Sequence, residues 1–200
     1  MPRRKTNDTK NGNRNRREEI VQAAARLFQK HGFSATSIVD IAKEVGLPKG
    51  GIYNHIESKE ELLYEIITRG ILTFIPIMRE VKASNDSPQV KLQQLVFNNV
   101  LQLTKYHNFV QVFLHDGNFL SAEHFNEYKK FRHEVEMCFQ EVLSQGMEDG
   151  VFRKSDVKLL AFAILGMCNW TTKWYRPRGH KSAEEIAAFF TETVTHMVRP

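Results

Sequence analysis

The run Val45-Gly46-Leu47-Pro48 constrains this chain more than any other stretch, because one helix has to stop and another start inside it. Glycine enters a left-handed turn without steric cost, and proline, with its fixed φ and missing N–H, suits the first turn of a new helix. Ahead of the turn, Ser37 and Asp40 stand in a capping relation before Ile38, Ile41, Ala42 and Val45, whose spacing gives a helix with one apolar stripe. Behind it a short helix is predicted over about Pro48 to His55. Ile52 points back toward the first helix, which leaves Lys49, Gly50, Gly51, Tyr53, Asn54 and His55 largely outside. Ser58 repeats the capping pattern with Glu61 and launches a longer third helix.

Helix, glycine turn and short helix with a polar outer face is the layout of a helix-turn-helix, whose second helix lies in the major groove of DNA. The outward residues suit that task. Asn54 offers the donor and acceptor pair that matches adenine's exposed edge, Lys49 and His55 reach phosphate or guanine, and the Tyr53 phenol donates to phosphate. Gly50 and Gly51 allow backbone to approach backbone closely. An ordinary helical hairpin with a solvated face has the same pattern, so the hairpin alone does not separate the two readings.

Its surroundings add to it. From Arg17 to Leu63 the chain resembles the DNA-binding domain of the TetR family of bacterial transcriptional regulators. The likeness is carried by IVQAAARLFQKHGFSATS, by IVDIAKEVGLPKGGIYNHI and by SKEELL, without insertions between them. The resemblance implies that Thr36, Ser37, Lys49, Gly50, Tyr53, His55 and Lys59 touch DNA, mostly its phosphates. Family members usually carry a hydroxyl or amide residue at the position of Gly51, and often an aromatic residue or histidine at that of Asn54. Both positions help set sequence preference, so the operator of this chain does not follow from that of a relative.

The charge distribution agrees with a basic amino-terminal end. The net charge of the 200-residue chain is +5; residues 1–61 hold twelve Lys/Arg and eight Asp/Glu, the remainder sixteen and fifteen. Residues 1–16 contain Arg3, Arg4, Lys5, Lys10, Arg14 and Arg16 and no large apolar side chain beyond the initiator. They are expected to form a disordered basic arm, lying in a minor groove or merely solvating the chain. The two cysteines, Cys138 and Cys168, sit in apolar helical surroundings and read as buried free thiols of a reducing, cytoplasmic protein. No secretory signal is expected, because the amino-terminal residues carry charge without an apolar core behind it. The longest apolar run, Leu159 to Cys168, is too short to cross a bilayer.

The remaining periodicity is helical throughout. Helices are predicted over about Arg17 to His31, Ser58 to Val81 with a disturbance at Pro76, Pro88 to Lys105, Tyr106 to Leu114, Ala122 to Met147, Val157 to Trp174 and Ala183 to Val198. The helix at 157–174 is apolar enough to be buried nearly all round. The expected fold is all-α with about nine helices, in three parts. These are the arm at 1–16, a three-helix DNA-binding domain at 17–62, and a larger effector-binding and dimerisation domain at 63–200. By resemblance to the family, the last two helices pair with their copies in a homodimer, and the helix from Ser58 links the two domains. Two recognition helices about 34–36 Å apart would then read a near-palindromic operator in double-stranded DNA.

A protein that only bound DNA would not need so long a carboxy-terminal part. A narrower resemblance concerns NWTTKWYRPRG at 169–179 and EYKKFRHEVE at 127–136, which look like the end of a TetR subgroup that releases DNA on binding acyl-CoA thioesters. The chemistry is coherent: an acyl chain wants an apolar slot, and the CoA phosphates want cations near its mouth. Arg132, Asn169, Trp170, Lys173, Trp174, Arg176 and Arg178 are the candidate effector residues, with plain packing and a solvated loop as the alternatives. Histidines 115, 124 and 133 with Asp116 and Glu136 lack a compact ligand spacing, and no metal or other cofactor is expected. No catalytic motif is present. The expected function is an effector-released repressor. A ligand-independent architectural DNA-binding protein and a regulator with a hydrophobic effector other than CoA are the alternatives.

Overall fold

The computed structural model describes residues 6–107, 109, 112 and 116–200, with side chains from residue 14 onward, and all regular structure among them is helical. Helix α1 runs Thr6–His31, α2 Ile38–Glu44, α3 Lys49–Ile52, α4 Lys59–Ala83 and α5 Pro88–Lys105. A 3-10 turn at Gly117–Phe119 precedes α6 at Ala122–Glu148, and α7 (Val157–Trp174) and α8 (Ala183–Val198) close the chain. The expected helix over Tyr106 to Leu114 falls largely outside the described residues.

Two expectations need correction here. Residues 6–16, read as a disordered arm, belong to α1. Apolar periodicity cannot see this segment, yet a helix nucleated further along, where Ile20, Val21, Ala24 and Phe28 are buried, propagates through polar residues at little cost per residue. The first five residues lie outside the described set. The compact units also do not divide at residue 62: one comprises Met1–Thr68 with Gln111–Phe125, the other Arg69–Val110 with Asn126–Pro200.

In the first unit α2 packs on α1 and on α3. Ile20, Phe28, Ile41, Ile52, Leu62, Leu63 and Ile66 are its large, fully buried side chains. Each such residue contributes about 1.5–3 kcal/mol by leaving water. Arg26 reaches Glu44 at 3.5 Å across the α1–α2 pair.

In the second unit α5 packs most extensively on α8 and also on α7. The core includes Leu95, Val96, Phe139, Leu143, Ile164, Ala187 and Val194. Ser87 caps α5 and Asp156 caps α7, while Ser182 and Glu185 form a reciprocal capping box on α8. A Cβ on Gly146 would lie 2.0 Å from the ring of Phe152, so only glycine lets that buried ring close the end of α6. Arg79 binds Glu134 through two bonds of 2.6 and 3.0 Å, and Lys82 pairs with Glu141. Pro76 sits inside α4 on its exposed side, where the helix passes it without a break. Cys138 and Cys168 are free and buried, and burial pushes the Cys138 thiol up to about 11.

Candidate nucleic-acid interface and effector-side residues

The helix-turn-helix is built by the local chemistry that its sequence announces. The Ser37 hydroxyl accepts the Asp40 N–H at 3.2 Å, and the Asp40 carboxylate accepts the Ser37 N–H at 2.8 Å. The Ser37 hydroxyl also donates to that carboxylate at 2.6 Å, and with the Ser37 N–H it holds Asp40 below the usual carboxylate range. In the turn, Gly46 has φ 66° and the Leu47 N–H donates to the Ala42 carbonyl at 2.8 Å. Pro48 caps α3 with φ −67°, as its ring requires. The α-helical part of α3 is a single turn. It continues in tighter bonds, from Asn54 N–H to Gly51 O at 3.3 Å and from His55 N–H to Ile52 O at 2.9 Å.

On the outward side Lys49, Gly50, Tyr53 and Asn54 are exposed, with Tyr53 at 50%. Ser37 is exposed too, although its hydroxyl is engaged in capping. At Gly51 a Cβ would press on the Pro48 ring at 3.2 Å, whereas at Gly50 it would meet nothing. A side chain at position 51 would therefore have to displace that ring.

Three predicted contact residues are placed otherwise. Thr36 is only 3% exposed, and its hydroxyl lies 2.9 Å from the Gly32 carbonyl and 3.3 Å from that of Leu27, so it closes the loop after α1 rather than facing outward. Lys59 donates to the carbonyls of Phe33 and Thr36, both at 2.9 Å, with its ammonium 4.1 Å from the centre of the Phe33 ring. His55 is half-buried, and its Nδ1 is buried without a partner. The carbonyl of His55 accepts from Arg17.

Arg17 was absent from the expected site and is its main internal anchor. One guanidinium nitrogen holds the end of the recognition segment at His55, and the other meets Glu61 at 2.6 Å and Glu65 at 2.8 Å. A signal was available. Glu61 and Glu65 are like charges one helical turn apart, an arrangement that calls for a cation. Burial pushes Glu61 upward, but the Glu57 N–H and the Arg17 guanidinium outweigh it and leave the carboxyl below its ordinary value.

Residues 116–125, expected in the carboxy-terminal domain, complete the first unit. The buried Asp116 carboxylate accepts the Phe33 N–H at 3.0 Å, and the Phe119 ring lies 5.3 Å from that of Phe33. Glu60 accepts the Ser121 N–H at 2.8 Å and contacts His124 Nδ1 at 2.9 Å, while the imidazole stacks on Tyr64 at 4.0 Å. Asp116 and His124 are thus occupied in packing, and His115 is outside the described residues. No group of three or more His, Cys, Asp or Glu converges among those described.

The candidate effector residues are all at the surface of the second unit. Contrary to the expectation of burial on every side, α7 buries Leu160, Ala161, Ile164, Cys168, Thr171 and Thr172 on one face only. The opposite face presents Leu159 at 65%, Phe162 at 45%, Trp170 at 64% and Trp174 at 43% exposure, with Asn169, Lys173 and bare Gly166 among them. Helix α8 adds Phe189 at 65%. A helix of 18 residues whose buried side chains fall on one face has a side left over, which uniform apolarity in the sequence does not reveal. Arg132 and Arg178 are exposed, and Arg176 donates to the Tyr175 carbonyl at 2.9 Å within its own loop. The structure brings Asn169, Trp170, Lys173 and Trp174 together on one outward face and draws none of the seven residues into the core.

Two family models account for most of this architecture. Residues 20–66 match the bacterial regulatory proteins of the tetR family, and residues 85–198 match the tetracyclin repressor-like carboxy-terminal domain. The chain belongs to the tetR family of bacterial regulatory proteins. This TetR-family chain is 31% identical over 190 residues to the HTH-type transcriptional repressor KstR2 of Rhodococcus jostii, covering 94% of the chain and 93% of that protein. The structure of the ketosteroid transcriptional regulator KstR2 of Mycobacterium tuberculosis superposes with a TM-score of 0.85 at 27% identity, covering 92% of this chain and 95% of that one. AibR, solved in complex with isovaleryl coenzyme A and operator DNA, gives a TM-score of 0.76 at 28% identity, covering 92% and 98%. The protein is therefore a helix-turn-helix transcriptional regulator that binds DNA. Among its described residues no helix is long and apolar enough to cross a membrane.

Proposed function

We propose that this TetR-family regulator is a cytoplasmic repressor that grips a near-palindromic operator as a homodimer and is released by a small apolar effector carried as an acyl-CoA thioester. The observation that carries the DNA half is the exposed set Lys49, Gly50, Tyr53 and Asn54 on a one-turn helix and the tight turn that continues it, whose end is fixed by Arg17. Asn54 reads a base edge, Lys49 and Tyr53 meet phosphate, and the Gly50 backbone approaches the strand. Ser37 and His55 remain at the rim of that surface.

The homodimer is supported by the bare apolar face of α7 with Phe189 of α8. So large a cluster of exposed aromatic and aliphatic side chains marks an interface in a protein of this size. Pairing through it sets two recognition helices one helical turn of DNA apart. The effector half is supported by AibR, whose structure contains an acyl-CoA, and by the cations Lys173, Arg176, Arg178 and Arg132 on the second unit. No catalytic role is assigned. An effector switches the dimer by its difference in affinity for the DNA-bound and released forms.

The test is a gel shift on DNA recovered from the protein's own binding selection, repeated with isovaleryl-, octanoyl-, dodecanoyl- and palmitoyl-CoA. Release by one chain length and not by free CoA is expected. Retention of DNA with every thioester would leave a ligand-independent regulator or one with a different hydrophobic effector.

A further inference from the structure

The seam between α5 and α7 contains a polar group that the fold itself leaves unserved. Asn99 is 7% exposed, and its amide nitrogen is buried without an oxygen or nitrogen acceptor. Its polar neighbour is the thiol of Cys168, a weak acceptor. Burial pushes that thiol up to about 12 against the pull of the Asn99 amide, so the sulfur stays protonated. A buried amide without a proper acceptor is costly, and native cores seldom keep one without use.

The seam around Asn99 is graded. Leu92, Leu95 and Val96 on α5 and Ala161 and Ile164 on α7 belong to the same buried apolar cluster. Further along both helices come Thr104, Thr171 and Thr172, each no more than 2% exposed. Thr104 bonds back to the Leu101 carbonyl at 2.9 Å and Thr171 to the Cys168 carbonyl at 2.7 Å, so their hydroxyl protons are spent and only acceptor capacity is left to them. Beyond them the half-buried His107 meets Tyr175 edge-on at 5.4 Å. The pairs Asn99 with Cys168 and His107 with Tyr175 show that the two segments advance together, with the threonines between. The polar track leads from a deep donor to a half-exposed aromatic end.

We infer that Asn99 is the polar seat of the effector site, donating its amide N–H groups to a carbonyl oxygen on an otherwise apolar effector that lies along the α5–α7 seam toward His107 and Tyr175. The inference deepens the effector reading above and rests on it. A thioester carbonyl and a ring ketone offer the same acceptor, and Thr104 and Thr171 would accept from a hydroxyl on the same molecule.

The experiment uses the full-length protein and its Asn99→Leu and Asn99→Val variants. Melting is measured without ligand, then with dodecanoyl-CoA, with its carbonyl-free thioether S-dodecyl-CoA, and with the steroid ketone androstenedione. Relief of the orphaned amide raises the ligand-free midpoint by about 2–4 °C in at least one variant. The wild type prefers the thioester over the thioether by about tenfold, the worth of one well-placed hydrogen bond, and the variants lose that preference. A lower midpoint in both variants would show that the amide is structural and overturn the seat, as would equal wild-type affinity for thioester and thioether. Binding of the ketone alone keeps the seat and removes the acyl-CoA reading, whereas binding of no carbonyl probe overturns the seat whatever the ligand-free midpoint.

Discussion

In the first unit polar side chains are tied down behind an outward face that stays polar and open, whereas in the second the outward face is apolar and an unserved amide lies in the core. Arg17, Lys59, Thr36 and Asp116 spend their hydrogen bonds on backbone and carboxylate groups, so Lys49, Tyr53 and Asn54 stand on a fixed platform. In α7 the burial runs the other way: Trp170 and Leu159 are in water, while Thr171 and Thr172 are inside. A surface meant for phosphate and base edges needs rigid positioning with its donors free, and a surface meant for a second copy needs apolar area. The contrast shows that exposure alone does not identify function; the chemistry left exposed does.

The largest expected effect breaks the apolar side of this contrast. Replacing Trp170 and Phe189 together by glutamate should weaken self-association by at least about 2–4 kcal/mol, the scale of interface hot spots, and give monomers at micromolar concentration by sedimentation. Unchanged dimers would place the interface elsewhere. Next comes Arg17→Ala, which strips the His55 carbonyl and leaves Glu61 and Glu65 facing each other. A loss of about 1–3 kcal/mol in stability is expected, with weaker DNA binding, and Arg17→Lys should recover only part of it because an ammonium cannot span three acceptors as the planar fork does.

Asn54→Ala is expected to cost about 1–3 kcal/mol on the preferred site and little on random DNA, whereas Lys49→Ala should weaken both and flatten the salt slope by about one unit. Lys59→Ala separates platform from contact. Because its ammonium is held by Phe33 and Thr36, the variant should lower the melting temperature and leave the salt slope nearly unchanged. The smallest effect is with pH. Burial pushes Glu60 upward, but the Ser121 N–H and His124 outweigh it and hold its carboxyl below the ordinary 4.5. A depressed carboxyl gives stability that is present above its unfolded value and lost as pH falls through its folded value. Glu60→Gln should therefore flatten the loss of stability below about pH 4.5, measured by denaturant titration. An identical acid limb in the variant would remove Glu60 from that role.

Much of this was legible in the sequence because it is written locally. Ser37 with Asp40, Gly46 with Pro48, and the apolar stripes of α5, α6 and α8 each specify their element within a few residues. What escaped was long-range. Arg17 meets Glu61, Glu65 and His55 only after α1, α3 and α4 have packed, and Asp116 reaches Phe33 across 83 positions. The exposed side of α7 escaped for a different reason: an apolar helix reads alike whether its last face meets its own chain or another one. The loop contacts of Thr36 and Lys59 escaped as well, since a hydroxyl or ammonium can serve the loop that presents its neighbours only once that loop has formed.

The most direct test is selection of bound sequences from a random DNA pool by the full-length protein, followed by footprinting of the winner. An inverted repeat with half-site centres about one helical turn apart is expected, and selection with Asn54→Ala should lose preference at one symmetric pair of positions. Enrichment of a single unrepeated site, or of no sequence at all, would contradict it.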